Sequence, residues 1–565
     1  MFGVPTRQVR IIVQTMVFTL WVALILATKG PIDSWLTKYL PVSLFLRIDP
    51  LVTTIISGGM RMGITITFLG FITLGITILL GRVFCGWVCP LGAIFDFYGW
   101  FLRRMHIPFE GPSPWFFRAK YYLLASILLF AIFGGVSPLM GLDPIVLITR
   151  VAASVINPFL REASSIAWQP GTGAKNYAYF LDFMTLFLFL GIMAATTKVS
   201  RIWCRVACPL GAYLGMMSRH ATLRRETTGC VHCNICSNHC PTGAINFENA
   251  EIYNESECIK CFLCSQECPV DANAFTFKNP LPTRQEGIYA PVDLSKRQFI
   301  AMAGATAVAA PILQMNAGIP KANKTLLRPP MSREEHDFLL SCIRCEMCIK
   351  ACPTGILKPA GFEHGIRSLW TPVMIATEGF CDNTCNACSV ACPTDAIMKY
   401  DIADKNKFKV GTAVFNDSLC IAFTENKFCN ECVRACPTHA IDIKKGWEPE
   451  GEKTSGAGAS ELPAPEGQFS TRPMHVSYER CIGCGACEFV CNKIVFGTPA
   501  MLTTSQGRAV PTTLPEPKKK AWIDVPAEDG AFTFQARNLG NDAVEAIHTF
   551  KFKKPPLEIQ GRLES

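Results

Sequence analysis

Residues 84–93 read "FCGWVCPLGA" and residues 203–212 read "WCRVACPLGA". Both contain Cys-x-x-x-Cys-Pro-Leu-Gly-Ala, and each directly follows a long apolar run. Four such runs precede or separate the two loops, at about 10–28, 62–80, 119–136 and 177–196. Each approaches the ~20 residues that a helix needs to cross a hydrocarbon core. Before the second run comes "RIDPLVTTI" (47–55), and before the fourth comes "GLDPIVLIT" (141–149). Each half therefore reads helix, Asp-Pro segment, helix, Cys-Pro loop, in the same direction. The pattern predicts two repeats about a pseudo-twofold axis along the membrane normal. Asp49-Pro50 and Asp143-Pro144 read most simply as helix N-caps with Pro at the first helical position. A place in a quinone pocket is the sharper reading.

Apolar residues make up 49% of the 565, and charged residues only 18%, which suits a partly membrane-embedded chain. The net charge of +9 points to membrane topology and not to nucleic acid, because the basic residues cluster beside the apolar runs. Thirteen Lys and Arg fall in 1–10, 81–120 and 197–225, against seven in 29–61 and 135–177. By the positive-inside rule the N-terminus and both Cys-Pro loops face the cytoplasm.

Spacing decides the chemistry of the 28 cysteines. Twenty-four fall into six groups of four, and the other four are Cys85, Cys89, Cys204 and Cys208 of the two loops. "CVHCNICSNHCP" supplies Cys230, Cys233, Cys236 and Cys240, and "CIKCFLCSQECP" supplies Cys258, Cys261, Cys264 and Cys268. Three closely spaced thiolates wrap one corner of a cubane, and the fourth ligates the other cluster of the pair. One [4Fe–4S] cluster is thus expected on Cys230, Cys233, Cys236 and Cys268. The other is expected on Cys258, Cys261, Cys264 and Cys240. Zinc is the competing reading of any single run, and two runs in tandem with a trailing Pro argue against it.

Four further runs lie beyond residue 330. They supply Cys342, Cys345, Cys348 and Cys352; Cys381, Cys385, Cys388 and Cys392; Cys420, Cys429, Cys432 and Cys436; and Cys481, Cys484, Cys487 and Cys491. The first gap is one residue longer in the second run and six longer in the third, and Asn492 replaces the usual Pro in the last. The total is six [4Fe–4S] clusters.

Three readings of the Cys-Pro loops stand open. The four thiols hold a seventh iron–sulfur centre, or they form redox-active dithiols beside Arg82 and Arg205, or they are packing cysteines. Iron counting separates them: six clusters predict about 24 iron per chain, and a seventh centre adds about two to four. A firm 24 removes the extra centre.

Between the cysteine groups, 294–320 resembles a twin-arginine export signal with Lys296-Arg297 in place of Arg-Arg, followed by 23 uncharged positions. Residues 448–468 read as a flexible solvated loop. No Cys-x-x-Cys-His, dinucleotide fingerprint or nucleophile–base set stands out, so the chain reads as a wire with its chemistry at the ends.

The spans "CGWVCPLGA" and "CRVACPLGAY", with the tandem ferredoxin runs, resemble the NapH/NosR-type membrane ferredoxins over the first 290 residues. From about 295 onward the chain resembles the NapG/MauM-type exported ferredoxins, so it looks like a fusion of the two. The resemblance implies a multi-domain fold: an α-helical transmembrane domain of two pseudo-symmetric helix-pair repeats and two α+β bacterial-ferredoxin-like domains. The expected boundaries are 1–225 for the membrane domain, 226–290 for the two-cluster domain, 291–325 for the signal-like helix and linker, and 326–565 for the four-cluster domain. By resemblance to four-cluster subunits of molybdenum reductases, the outer two runs and the inner two runs pair. Cys491 then completes Cys342, Cys345 and Cys348, and Cys392 and Cys436 exchange. Sequential pairing is the alternative.

The family implies a quinol dehydrogenase subunit in an inner (cytoplasmic) membrane, bacterial or archaeal. Residues 226–290 would be cytoplasmic and 326–565 periplasmic. Its partners would be the quinone pool and a periplasmic reductase or c-type cytochrome, within a larger complex. Asp49, Asp143, His106 and His220 are the candidates for binding quinone. Two rivals remain: transfer from a cytoplasmic donor to quinone, and a metal-reducing or assembly factor.

Overall fold

Apolar runs without an internal charge form helices because the backbone then satisfies its own hydrogen bonds. In the computed structural model, α1 spans Thr6–Leu26, α2 Pro50–Met60, α3 Ile64–Leu80, α4 Val83–Trp87 and α5 Pro90–Arg104. The second half gives α6 Ala119–Phe133, α7 Pro144–Val151, α8 Phe180–Thr196, α9 Ile202–Val206 and α10 Pro209–Ser218. The structure describes residues 6–27, 40–60, 64–105, 118–133, 138–153, 180–246, 249–277, 326–361, 365–425, 429–447, 470–494 and 499–505, and four short strands beyond 519. The export-signal-like segment 294–320, the loop 448–468 and His106 lie outside the described residues. Among the described residues, one helix, Arg7–Leu26, is long and apolar enough to cross a membrane; 68–80, 119–131 and 184–196 are shorter apolar helices.

The two halves pack in corresponding pairs. Helix α1 lies on α5 as α6 lies on α10, and α7 lies on α5 as α2 lies on α10. Each half breaks its chain in the same way at the Cys-Pro loop. A five-residue helix carries the first cysteine, and the second is the N-cap of the next helix, with Pro at its first position.

The chain divides into two units, Met1–Val510 and Pro511–Ser565. The second unit has two antiparallel strand pairs, 520–526 with 532–538 and 551–552 with 559–560. Within the first unit, β1 (Leu223–Thr227) pairs antiparallel with β2 (Asn273–Phe277) and closes the first cysteine-rich domain. The second cysteine-rich domain carries three antiparallel pairs: 357–359 with 372–374, 412–415 with 501–504, and 441–447 with 470–476.

Both cysteine-rich domains dock on the helices through buried charge. On the first, Glu257 receives Lys120 Nζ at 2.5 and 2.6 Å and Arg82 Nη1 at 3.3 Å. The Trp87 indole donates to Lys260 O at 2.9 Å. A Cβ on Gly86 would stand 2.3 Å from Ile259 O, so only glycine admits this approach. On the second domain, Arg150 pairs with Glu346 at 3.2 Å, bonds Thr185 Oγ1 at 2.7 Å and lies over the Trp370 ring at 4.1 Å. Lys350 donates to the Ile25 carbonyl. Ile343, Cys345, Met347 and Ala351 join the same apolar core as α1, α2 and α7.

Lys120 is fully buried, so removing its partner strands a charge. Glu257→Ala is expected to cost about 3–5 kcal/mol. Lys120→Met in the same chain should recover part of that loss. Thermal unfolding of the purified chain in detergent measures both.

Candidate iron–sulfur centres

Four of the six cysteine runs build their ligand cradle from backbone held in the left-handed region. In four runs the residues two and four places after the first cysteine have positive φ: His232 and Asn234, Lys260 and Phe262, Arg344 and Glu346, Gly483 and Gly485. Non-glycine residues rarely adopt this conformation, and its recurrence at equivalent positions marks a geometry imposed by the site. The two runs with lengthened first gaps lack it; Asn386 and Asn430 have φ of −125° and −133°. A second feature follows the fourth cysteine. Gly243, Asp271, Gly355, Asp395 and His439 lie three residues beyond it, all with positive φ. That turn aims the next amide at the sulfur: Ala244 N to Cys240 Sγ, Ala272 N to Cys268 Sγ and Ala440 N to Cys436 Sγ are each 3.2 Å. Cys491, which has no such turn, takes Ala500 N at 3.3 Å instead. Amide donors to sulfur stabilise the negative charge of a ligated thiolate.

The first domain pairs as expected. Cys264 has Cys258, Cys261 and Cys240 as thiol neighbours, and Cys236 has Cys230 and Cys233. This leaves Cys268 to complete the second set. The four-cluster domain corrects the outer-with-outer expectation. The thiol neighbours of Cys348 are Cys345, Cys342, Cys392 and Cys388, and those of Cys388 are Cys381, Cys352 and Cys385. Cys432 lies among Cys429, Cys491 and Cys420, and Cys487 among Cys484, Cys481, Cys432 and Cys436. The first two runs exchange Cys352 and Cys392, and the last two exchange Cys436 and Cys491. The physical reason is helix packing: 347–351 lies on 387–391, and 431–434 lies on 486–494. The two pairs join where Cys381 N donates to Cys484 O at 2.8 Å.

All 28 cysteines are unpaired, so disulfides do not account for them. Among the described residues, the one trio of Cys, His and carboxylate ligand atoms within 4.8 Å of one another is Cys230, His232 and Glu251. No three thiols come that close, whereas a single zinc with Zn–S of about 2.3 Å draws its sulfurs to about 3.8 Å.

The Cys-Pro loops converge. Cys89 has Cys85 and Cys204 as thiol neighbours, and Cys208 has Cys204 and Cys85; all four are buried. Cys89 and Cys208 cap the N-termini of α5 and α10, where the helix dipoles favour negative charge. Each half sends a buried arginine into the other half's loop. Arg201 donates to Cys85 O at 3.3 Å and Gly92 O at 3.2 Å. Arg82 Nη2 lies 2.9 Å from where a Cβ of Gly211, the counterpart of Gly92, would be. Arg201 is held by Asp96, which also receives Arg10 and Gln14. Arg10, Arg201 and Asp96 therefore carry one excess positive charge, as do Arg82, Lys120 and Glu257. Arg82 and Arg201 are thus the equivalent arginines of the two repeats, and Arg205 lies against the Gly243 turn of the first domain. The signal that was missed is the arginine three residues before the first cysteine in both loops.

Burial, with repulsion between neighbouring thiols, pushes the Cys89, Cys204 and Cys208 thiols up. The two excess positive charges suit a centre whose four thiolates and iron–sulfide core sum to two negative charges, as they do for [2Fe–2S]²⁺ and [4Fe–4S]²⁺.

Of the quinone candidates, Asp49 and Asp143 meet. Each is fully buried and caps its helix: Leu51 N donates to Asp49 Oδ1 at 2.8 Å and Ile145 N to Asp143 Oδ1 at 2.9 Å. Their side chains lie within hydrogen-bonding reach of each other, and Oδ2 of each is buried without a protein donor. One shared proton satisfies both, because two adjacent carboxylates cannot both ionise in a buried site. His220 does not join them; it is exposed in the turn after α10.

A family model described as a 4Fe-4S binding domain matches residues 62–108 and 181–226, the two Cys-Pro repeats. Models described as 4Fe-4S dicluster domains match 222–269 and 427–495. The ferredoxin-type protein NapG of Escherichia coli is 31% identical over 198 residues, 34% of this chain and 78% of that protein. The methylamine utilization ferredoxin-type protein MauM of Methylorubrum extorquens is 41% identical over 96 residues, 17% of this chain and 42% of that protein. The regulatory protein NosR of Stutzerimonas stutzeri is 28% identical over 183 residues, 32% of this chain and 22% of that protein. The chain thus spans less than half the length of MauM and of NosR. No solved structure matches.

Sequential pairing makes a double substitution decisive. Cys342→Ala with Cys392→Ser damages one site and should lower iron by about four per chain; Cys342→Ala with Cys352→Ser damages two and should lower it by about eight. Outer-with-outer pairing predicts about eight for the first variant.

Proposed function

The chain belongs to the NapG/NapH/NosR-type ferredoxins, and from that premise we propose that it is a membrane-bound quinol dehydrogenase subunit. It is an iron–sulfur electron-transfer protein that binds several [4Fe–4S] clusters. The full set in this reading is six such clusters, with a further iron–sulfur centre on Cys85, Cys89, Cys204 and Cys208. Helices α1, α3, α6 and α8 cross the inner membrane, with residues 226–290 cytoplasmic and 326–565 periplasmic. Electrons enter from quinol at the helical unit and leave through the second cysteine-rich domain. The acceptor is a periplasmic reductase or c-type cytochrome within a larger complex.

The observation that carries this reading is the continuity of the thiol sets. Cys345 of the four-cluster domain and the four Cys-Pro thiols belong to one apolar core. The bound clusters supply one-electron chemistry. The chain's own residues exclude water, hold the cluster thiolates with amides and buried cations, and keep one proton on the Asp49–Asp143 pair. The carboxylate left ionised in that pair can accept one of the two protons that quinol oxidation releases with its two electrons.

Adding menaquinol to the purified, oxidised chain in detergent should bleach the visible iron–sulfur absorbance. Asp49→Asn with Asp143→Asn should slow the bleaching at least tenfold while iron content is retained. If menaquinol reduces no cluster and menaquinone oxidises none, the quinol reading fails.

A further inference from the structure

The first cysteine-rich domain is not on a path from quinol to the periplasm, yet the structure connects it to the same core. Helix α1 is the ruler. At its start, Arg10 reaches Gly86 O and Asp96, and Arg7 lies 3.7 Å from Glu267, which precedes Cys268 of the first domain. At its end, the Ile25 carbonyl receives Lys350 of the second domain, which lies between Cys348 and Cys352. Fifteen residues separate Arg10 from Ile25, about 22 Å of helix. The two cysteine arrays therefore sit at opposite ends of α1, the one helix among the described residues long and apolar enough to span.

The Cys-Pro thiols stand between the arrays. Toward the first, Gly86 touches Ile259, so that the backbones beside Cys85 and Cys258 are in contact. Arg201 feels both Cys204 and Cys261. Toward the second, Cys208 feels Asp143, the N-cap of α7, and Arg150 in the last turn of α7 bonds Glu346, the neighbour of Cys345. From Asp143 to Arg150 is about 10 Å along the helix. At the outer end of the first array, Cys233 is the one exposed thiol of the 28. Its neighbour Val231 is exposed as well.

We propose that this chain also provides a transmembrane electron route that needs no quinone. A soluble one-electron carrier docks at Cys233. Its electron passes through the Cys230 and Cys258 sets, crosses by the centre on Cys85, Cys89, Cys204 and Cys208, and reaches the Cys342 set on the far side. The carrier is oxidised by one electron for each electron that reduces the far acceptor. Counter-ion movement balances the charge. This inference rests on the reading that the helical unit spans the membrane and that the thiol sets hold clusters. It does not need quinol to be a substrate.

The full chain is reconstituted in quinone-free phospholipid vesicles containing ferricyanide, with K⁺ and valinomycin to carry the balancing charge. Protease digestion of the sealed vesicles reports which domain faces outward. Dithionite is added outside. The wild type should reduce the trapped ferricyanide at least tenfold faster than protein-free vesicles. Cys85→Ser and Cys208→Ser should each return the rate to that background while keeping about 24 iron per chain, against a higher count in the wild type. Mössbauer spectra of the wild type should contain iron that both variants lose, a readout independent of conduction. The proposal is overturned if the wild type bleaches but leaves the ferricyanide oxidised. It is also overturned if a variant that has lost that iron conducts at the wild-type rate, or if the wild type holds only 24 iron. Protease cleavage of both domains from one face would instead sink the spanning reading. Conduction that persists when menaquinol reduces no cluster would leave the conduit standing and remove the quinol reading alone.

Discussion

Two buried guanidinium groups, Arg82 and Arg201, organise the helical unit. A full charge inside a protein is tolerable only when paired and hydrogen-bonded. Each arginine meets that demand with partners from elsewhere in the chain. Arg82 takes Ser256 O at 2.6 Å and Glu257, both from the first cysteine-rich domain. Arg201 takes Asp96 from α5 and the carbonyls of the opposite Cys-Pro loop. The same two side chains thus fix the fit between the halves, the conformation of the loops and the seat of the first domain. Their positive excess falls where four thiols converge, so structural and electrostatic requirements coincide.

A negative centre at this position gains from the backbone as well. Cys89 and Cys208 open helices whose unpaired amides point toward them, and Gly211 N donates to Cys208 Sγ at 3.1 Å. The Leu-Gly-Ala that follows each Pro has a steric reason. A Cβ on Gly92 would stand 2.7 Å from Cys85 O, and one on Gly211 would meet Arg82 Nη2. The repeated five-residue word is therefore one physical device: a cysteine cap, a helix start and a glycine that lets an arginine or a carbonyl close in.

Much of this was legible in the sequence, because the chemistry is local. Cluster runs announce themselves by spacing within a dozen residues, and the Asp-Pro caps by adjacency; the structure has Asp143 capping Ile145 N and Val146 N as that reading requires. The helices occupy the apolar runs for the same reason. What remained hidden was long-range. Arg201 with Cys85, Glu257 with Lys120 and Arg150 with Glu346 are separated by more than a hundred residues, and no periodicity marks them. The order of the clusters was hidden too, because any run of Cys-x-x-Cys-x-x-Cys can take its fourth ligand from any other. Packing of the short helices after the third cysteine decides that, and it chose neighbours in sequence.

Neighbour pairing has a consequence for how charge moves. Exchange of Cys352 and Cys392 makes one two-cluster module, and exchange of Cys436 and Cys491 makes another. The Cys381–Cys484 backbone contact joins the second site of the first module to the Cys481 set. Cys345, at the first site of the first module, is buried in the core of the helical unit, and Cys385 of the second site packs against that core. The sites therefore run in a line: the Cys342, Cys381, Cys481 and Cys420 sets in turn. The Cys420 set comes last in this order. It is also where the six-residue insertion between Cys420 and Cys429 interrupts the run. Every internal site in this order has two neighbouring sets, and the last has one.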